Sequence, residues 1–143
     1  MSPSPHLVLN DPEVSAADLT DLYTAVGWNG AGQRTPERTA HMLSQTLAYV
    51  CVYQEEQLVG FGRASGDVYG AQLLDLMTRP DSRRRGIGTA VMKALLTHLH
   101  GNVLGLSLID GTGRPGFYER FGFRAANPET DRLMSLETGR GEE

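Results

Sequence analysis

The spacing of apolar positions changes several times along the chain, and each change marks an element. Leu19, Leu22, Tyr23 and Val26 recur at helical spacing, with Ser15 placed to cap the start and Gly27 to stop the end. A second helix opens on Thr35-Pro36-Glu37, a capping residue followed by proline at the first helical position, and runs to about Gln45. From Leu47 the pattern turns to extended chain. Residues 47–54, 58–65 and 72–78 are rich in apolar, β-branched and aromatic side chains, and turn residues at 55–57 and 66–67 separate them. Three such runs in succession predict an antiparallel meander, with one further short strand ahead of it at residues 6–9.

The second half carries a third helix, with Ile87, Val91, Ala94, Leu95 and Leu99 on one face and its end at Gly101. Residues 102–109 are almost continuously apolar, as a strand covered on both faces would be. A turn at 110–113 follows, then a short helix over 115–121 and two closing strands over 123–126 and 133–136. Residues 1–5 and 138–143 read as frayed ends of a single domain spanning 1–143.

Composition narrows the class. At 143 residues, 40% hydrophobic and 21% charged, the chain fits one globular domain with a proper core. A net charge of -4 argues against nucleic acid as a partner, despite the local cluster of Arg79, Arg83, Arg84 and Arg85. The single cysteine, Cys51, allows no internal disulfide and suits a reducing compartment. Neither a signal peptide nor an 18-residue apolar stretch is visible, so the reading is cytoplasmic with no membrane contact. His41, His98 and His100 show no metal-ligand spacing, and no metal is expected.

The most informative stretch is Arg83-Arg84-Arg85-Gly86-Ile87-Gly88-Thr89, where a strand hands over to a helix. A helix start leaves backbone N–H groups without partners, and Ser, Thr, Asp or Asn usually caps them. Here no such residue directly precedes Gly86, two glycines clear away side chains, and three arginines add positive charge. Open amides, a helix dipole and cations together favour an anion, most simply a phosphate or pyrophosphate.

This Arg83-x-x-Gly86-x-Gly88 pattern, followed about 30 residues later by Phe117-Tyr118-Glu119-Arg120-Phe121-Gly122-Phe123, resembles the GNAT superfamily of N-acetyltransferases over nearly the whole chain. The resemblance implies an α+β (α/β) fold: a mixed, mostly antiparallel sheet of six to seven strands, about four helices, and a V-shaped cleft between the fourth and fifth strands. It implies acetyl-CoA as cosubstrate, with a small-molecule or peptide amine as acceptor and a homodimer as a common assembly. The pyrophosphate would sit on Arg83, Arg84, Arg85, Gly86, Ile87, Gly88 and Thr89, and the pantetheine arm along Leu76, Met77 and Thr78 as an added strand. Asp110, Gly113, Phe117 and Arg120 fall where relatives line the CoA arm and adenine, although relatives often carry Asn at the place of Asp110.

Tyr118 matches the family tyrosine that supplies a proton near the sulfur. Many relatives carry a glutamate early on the fourth strand, but that place falls at Gln72, which takes up no proton. Asp75 is the nearest carboxylate, and strand alternation sets it opposite in facing to Gln72, Leu74 and Leu76 unless a bulge changes the parity. It is therefore a candidate base, an anchor for the substrate amine, or an ion-pair partner of Arg63. The first helices and their loop commonly build the acceptor pocket, which makes Tyr23, Trp28 and Asn29 candidates for substrate contact. A non-catalytic acyl-CoA-binding or sensor domain using the same cleft is the alternative.

Overall fold

Each capping signal stands at a helix start. The computed structural model describes residues 4–111, 116–127, 129–131 and 133–136. In it, helix α1 (Ala16–Ala25) begins at Ser15, whose hydroxyl accepts from the Asp18 N–H at 3.1 Å. Helix α2 (Pro36–Gln45) begins at Thr35, which does the same for Arg38 at 3.2 Å. The strands are β1 (His6–Leu9), β2 (Ala48–Gln54), β3 (Gln57–Gly66), β4 (Ala71–Thr78) and β5 (Leu106–Ser107), and helix α3 (Ile87–Leu99) lies between the last two. The sheet runs in the order β1-β2-β3-β4-β5, antiparallel except for the parallel pair β4–β5.

Alternation along β3 sends its side chains to two layers. Phe61 joins Leu19, Leu22 and Tyr23 of α1 and Met77 of β4 in one buried cluster. Gly60 and Gly62 face α3 on the other side, and their lack of a Cβ admits the helix closely. A methyl on Gly60 would lie 2.5 Å from Ile87 Cγ2, and one on Gly62 would lie 2.6 Å from Val91 Cγ1. The start of α3 is thus seated on the sheet by two glycines.

The second half is less regular than its apolar pattern implied. Among the described residues there are five strands and three α-helices, rather than six to seven strands and four helices. Strand β5 covers only two residues of the 102–109 run, because its first part is taken by the end of α3. The Asn102 amide donates to the His98 carbonyl at 2.6 Å, the Asn102 N–H reaches the Leu99 carbonyl at 2.9 Å, and the Leu104 N–H goes to Val68.

The chain divides into two compact units, Met1–Ile109 and Asp110–Glu143. In the second, the expected helix over 115–121 is a single 3-10 turn, Glu119–Phe121. Gly116 and Gly122 hold left-handed backbone on either side of it, at φ 85 and φ 97, and a right-handed helix does not extend through such residues. The described residues of 123–126 and 133–136 form no strand, and Leu133, Met134 and Leu136 are exposed. Apolar alternation without a neighbouring strand to share hydrogen bonds does not make a sheet. The frayed ends expected at 1–5 and 138–143 fall, apart from Ser4 and Pro5, outside the described residues. Among the described residues no helix is long and apolar enough to cross a membrane.

Candidate active site

Strand β4 is the spine of the site. It pairs with β5 only at Ala71↔Leu106 and Gln72↔Ser107, so from Leu73 to Thr78 it has no partner on that side among the described residues. Leu76, Met77 and Thr78, the expected pantetheine contacts, all lie in this unpaired part. Met77 is itself buried at 2% exposure, so only its backbone is available.

The chain then passes through a 3-10 turn (Pro80–Ser82) to the start of α3. Gly86 is the N-cap, left-handed at φ 76, with no side chain to bond the first-turn amides. Arg84 is left-handed as well, at φ 67. A Cβ built on Gly86 would meet nothing within 4 Å, so the space before the helix is open. Ile87 has its side chain in the core, leaving its backbone to face an anion, and Gly88 and Thr89 complete the first turn. Arg83, Arg84 and Arg85 are exposed, and Arg85 also reaches Gln54 Oε1 at 3.3 Å. These residues fit a pyrophosphate: a helix start with no side-chain cap, at the positive end of the dipole and flanked by guanidiniums.

The other side of β4 carries a bulge. Leu74 opposes Arg63 and Met77 opposes Phe61, so two residues, Asp75 and Leu76, stand against Gly62 alone. Asp75 absorbs the extra residue at φ 56. Simple alternation sets Asp75 apart from Leu74; the bulge brings its carboxylate to the face that Leu74 shares with Arg63. There, Asp75 Oδ2 accepts from the Tyr23 hydroxyl at 2.6 Å and from Arg63 Nε at 2.7 Å. That oxygen takes a proton from an amine only by giving up a donor. Burial, then the Asp75 charge, pushes the Tyr23 phenol well above its usual range, so it stays a donor.

Tyr23 and Asp75 line a cavity of about 160 Å³ together with Arg34, Arg38, Thr39, Met42 and Arg63. The Arg34 guanidinium lies 4.8 Å over the Tyr23 ring and donates through Nη1 to the Trp28 carbonyl. Asn29 closes the loop by accepting from the Arg34 N–H at 2.9 Å and donating to the Arg34 carbonyl and to Thr24, each at 3.0 Å. Of the three residues expected to touch substrate, Tyr23 lines the cavity, Asn29 holds the loop that carries Arg34, and Trp28 stands beside it at 44% exposure. Arg34 and Arg38 were not anticipated. A signal existed: Arg34 stands just ahead of the N-cap Thr35 and Arg38 lies within the first turn of α2, where a helix dipole disfavours cations.

The second unit holds the remaining candidates. Tyr118 packs edge-on against Phe117 and Phe123, with ring centroids 4.9 and 6.3 Å away. Burial, then the charge of Asp110, raises its phenol above the ordinary value. Arg120 lies over the Phe117 ring at 5.1 Å. Gly113 is outside the described residues. Among the described residues no group of three His, Cys, Asp or Glu is placed to hold a metal ion.

Residues 45–125 match the sequence model of the acetyltransferase (GNAT) domain. A curated relative, serotonin N-acetyltransferase 2, chloroplastic, from Oryza sativa subsp. japonica, is 37% identical over 130 residues, covering 82% of this chain. The match spans only 60% of that relative's length. Among solved structures, a GNAT-family acetyltransferase from Streptococcus pneumoniae superposes with a TM-score of 0.77 at 25% identity, covering 94% of this chain and 98% of that one. A GNAT-family acetyltransferase from Brucella melitensis, solved in complex with acetyl-CoA, shares the fold at a TM-score of 0.66 and 19% identity, covering 85% and 84% of the two chains.

Proposed function

The chain belongs to the GNAT acetyltransferase family, and we propose that it moves the acetyl group of acetyl-CoA onto a primary amine of a small molecule or peptide. The observation that carries this reading is the release of β4 from β5 after Gln72, leading directly to the side-chain-free cap at Gly86. The free edge of Leu76–Thr78 suits the amides of a pantetheine arm, and the helix start suits a pyrophosphate.

Acetyl-CoA supplies an activated thioester; the rest is work for this chain. A backbone N–H near Met77 or Thr78 stabilises the negative charge that develops on the acetyl oxygen as the amine attacks. Tyr118 donates a hydrogen bond to the sulfur while the C–S bond breaks. Its raised pKa makes full transfer of the proton to a thiolate uphill, so the phenol keeps its proton and CoA leaves as a thiolate that solvent protonates. Gln72 carries no basic group, so the amine's proton passes to water or to Asp75, whose Oδ2 already accepts twice while Oδ1 has no partner among the described residues.

The glutamine at position 72, in place of a carboxylate, favours the second reading, an acyl-CoA-binding sensor without turnover. Calorimetric titration with acetyl-CoA, followed by thiol release over a panel of amines, separates the two. Saturable binding with turnover on at least one amine supports the enzyme. Binding with no turnover across the panel supports the sensor, and no binding overturns both.

A further inference from the structure

Three arginines, Arg34, Arg38 and Arg63, line the cavity beside β4, against one carboxylate, Asp75. Arg63 and Asp75 neutralise each other. The other two guanidiniums donate only to backbone carbonyls, Arg34 to Trp28 and Arg38 to Gln33 at 2.9 Å. Among the described residues neither comes within ion-pair distance of an acid. The cavity therefore keeps two positive charges in excess on a chain whose net charge is -4. They are also costly where they stand, at the positive end of α2. Local conflicts of this kind are expected at functional or strained sites.

Resting on the acetyltransferase reading, we propose that the acceptor is an amine that also carries a carboxylate, read by Arg34 and Arg38. Tyr23 sets the spacing. Its hydroxyl binds Asp75 Oδ2 while its ring lies under the Arg34 guanidinium, so a phenol ring separates the acidic and basic poles. Both bonds to Asp75 end on Oδ2, and Oδ1 has no partner among the described residues, so it can accept from the amine. The ligand this arrangement fits bears its amine and its carboxylate several bonds apart. Planar, forked guanidiniums suit a carboxylate in particular.

The test compares 5-aminopentanoate with its amide, 5-aminopentanamide, and with serotonin, following thiol release in the intact chain. The carboxylate should be favoured at least about ten-fold in kcat/KM, the scale of one charge-assisted hydrogen bond. In Arg38→Gln, which removes one guanidinium and its bond to the Gln33 carbonyl but keeps Arg34 and the Asn29 bonds to it, that preference should fall toward one, mainly through KM. Arg34→Gln should behave alike. Turnover of the amide or serotonin equal to that of the carboxylate, or a preference surviving both substitutions, overturns the inference and leaves the acetyltransferase reading standing. A readout independent of turnover is the emission of Trp28, the sole tryptophan, titrated with pentanoate. An arginine-dependent change with no turnover of any amine would keep the anion site while sinking the enzyme. Neither turnover nor a change in emission overturns both.

Discussion

Tyr23 and Arg63, from α1 and β3, deliver their hydrogens to one oxygen, Asp75 Oδ2, at 2.6 and 2.7 Å. The bulge in β4 makes the meeting possible, and it joins the first helix to the centre of the sheet. Asp75→Asn keeps the size of the side chain and tolerates φ 56, so it isolates the charge. With side chains only 18% and 16% exposed, Arg63 would be left without its counter-ion. The loss of stability should be about 1–3 kcal/mol. Urea denaturation checks it: the midpoint should drop at unchanged slope, and Arg63→Met should recover part of the loss in the double variant.

Gly60→Ala should destabilise by about 1–3 kcal/mol through overpacking, since its new methyl would lie 2.5 Å from Ile87 Cγ2. Ile87 opens α3, so relief of the clash must lift the helix start from the sheet. Affinity for acetyl-CoA should fall along with the melting temperature. Ile87→Ala in the same chain should restore part of both, and additive losses would show that the two side chains do not meet.

The meander, the helices and their caps were legible because local rules decide them. Ser15, Thr35 and the strand periods act on their immediate neighbours. The glycine turn was legible for the same reason: an uncapped helix start is a property of a few adjacent residues. What escaped depends on distant chain. Only the family resemblance admits a bulge in β4, as an alternative; no pattern in residues 71–78 announces it, because Gly62 of another strand decides the register there. The apolar run after Gly101 promised a longer strand than forms, because side-chain and backbone bonds at the end of α3 claim its first residues.

Gly86→Val should weaken acetyl-CoA binding at least about ten-fold. The left-handed backbone at φ 76 costs a branched residue about 1–2 kcal/mol, and the side chain fills the open space before the first amides. Gly86→Asn accepts the backbone conformation and should fold nearly normally, yet it also obstructs the anion. Calorimetry on both separates the effects, and undiminished affinity in the Asn variant would remove this turn from cofactor binding.

Cys51 should make the fold sensitive to alkali. Burial, then the charge of Asp11, pushes its thiol up to about 12 from 9.0. Above pH 9 the unfolded chain gives up this proton while the folded chain keeps it, so the unfolded state binds fewer protons and stability falls as pH rises. Below pH 9 both states hold the proton and the contribution is complete. Unfolding free energies at several values between pH 9 and 12 should slope downward, and Cys51→Ala, though weaker at neutral pH from its cavity, should slope less. Equal slopes would assign the loss to the tyrosines.

Tyr118→Phe should lower kcat by about 100-fold or more while leaving acetyl-CoA affinity within a small factor, as for removal of a hydrogen-bond donor that acts on charge developing in the transition state. The phenol must be protonated to serve the sulfur, so activity is lost as pH climbs through its pKa. Burial among the aromatic rings and the nearby Asp110 raise that value, which sets the alkaline limb of the rate profile above the ordinary phenol pKa of about 10. The phenylalanine variant lacks the titrating group and should lack that limb within the range where the protein stays folded. A wild-type rate in the variant would exclude Tyr118 from the chemistry. A reduced rate with the limb intact would make it a positioning residue, with the sulfur stabilised by another donor.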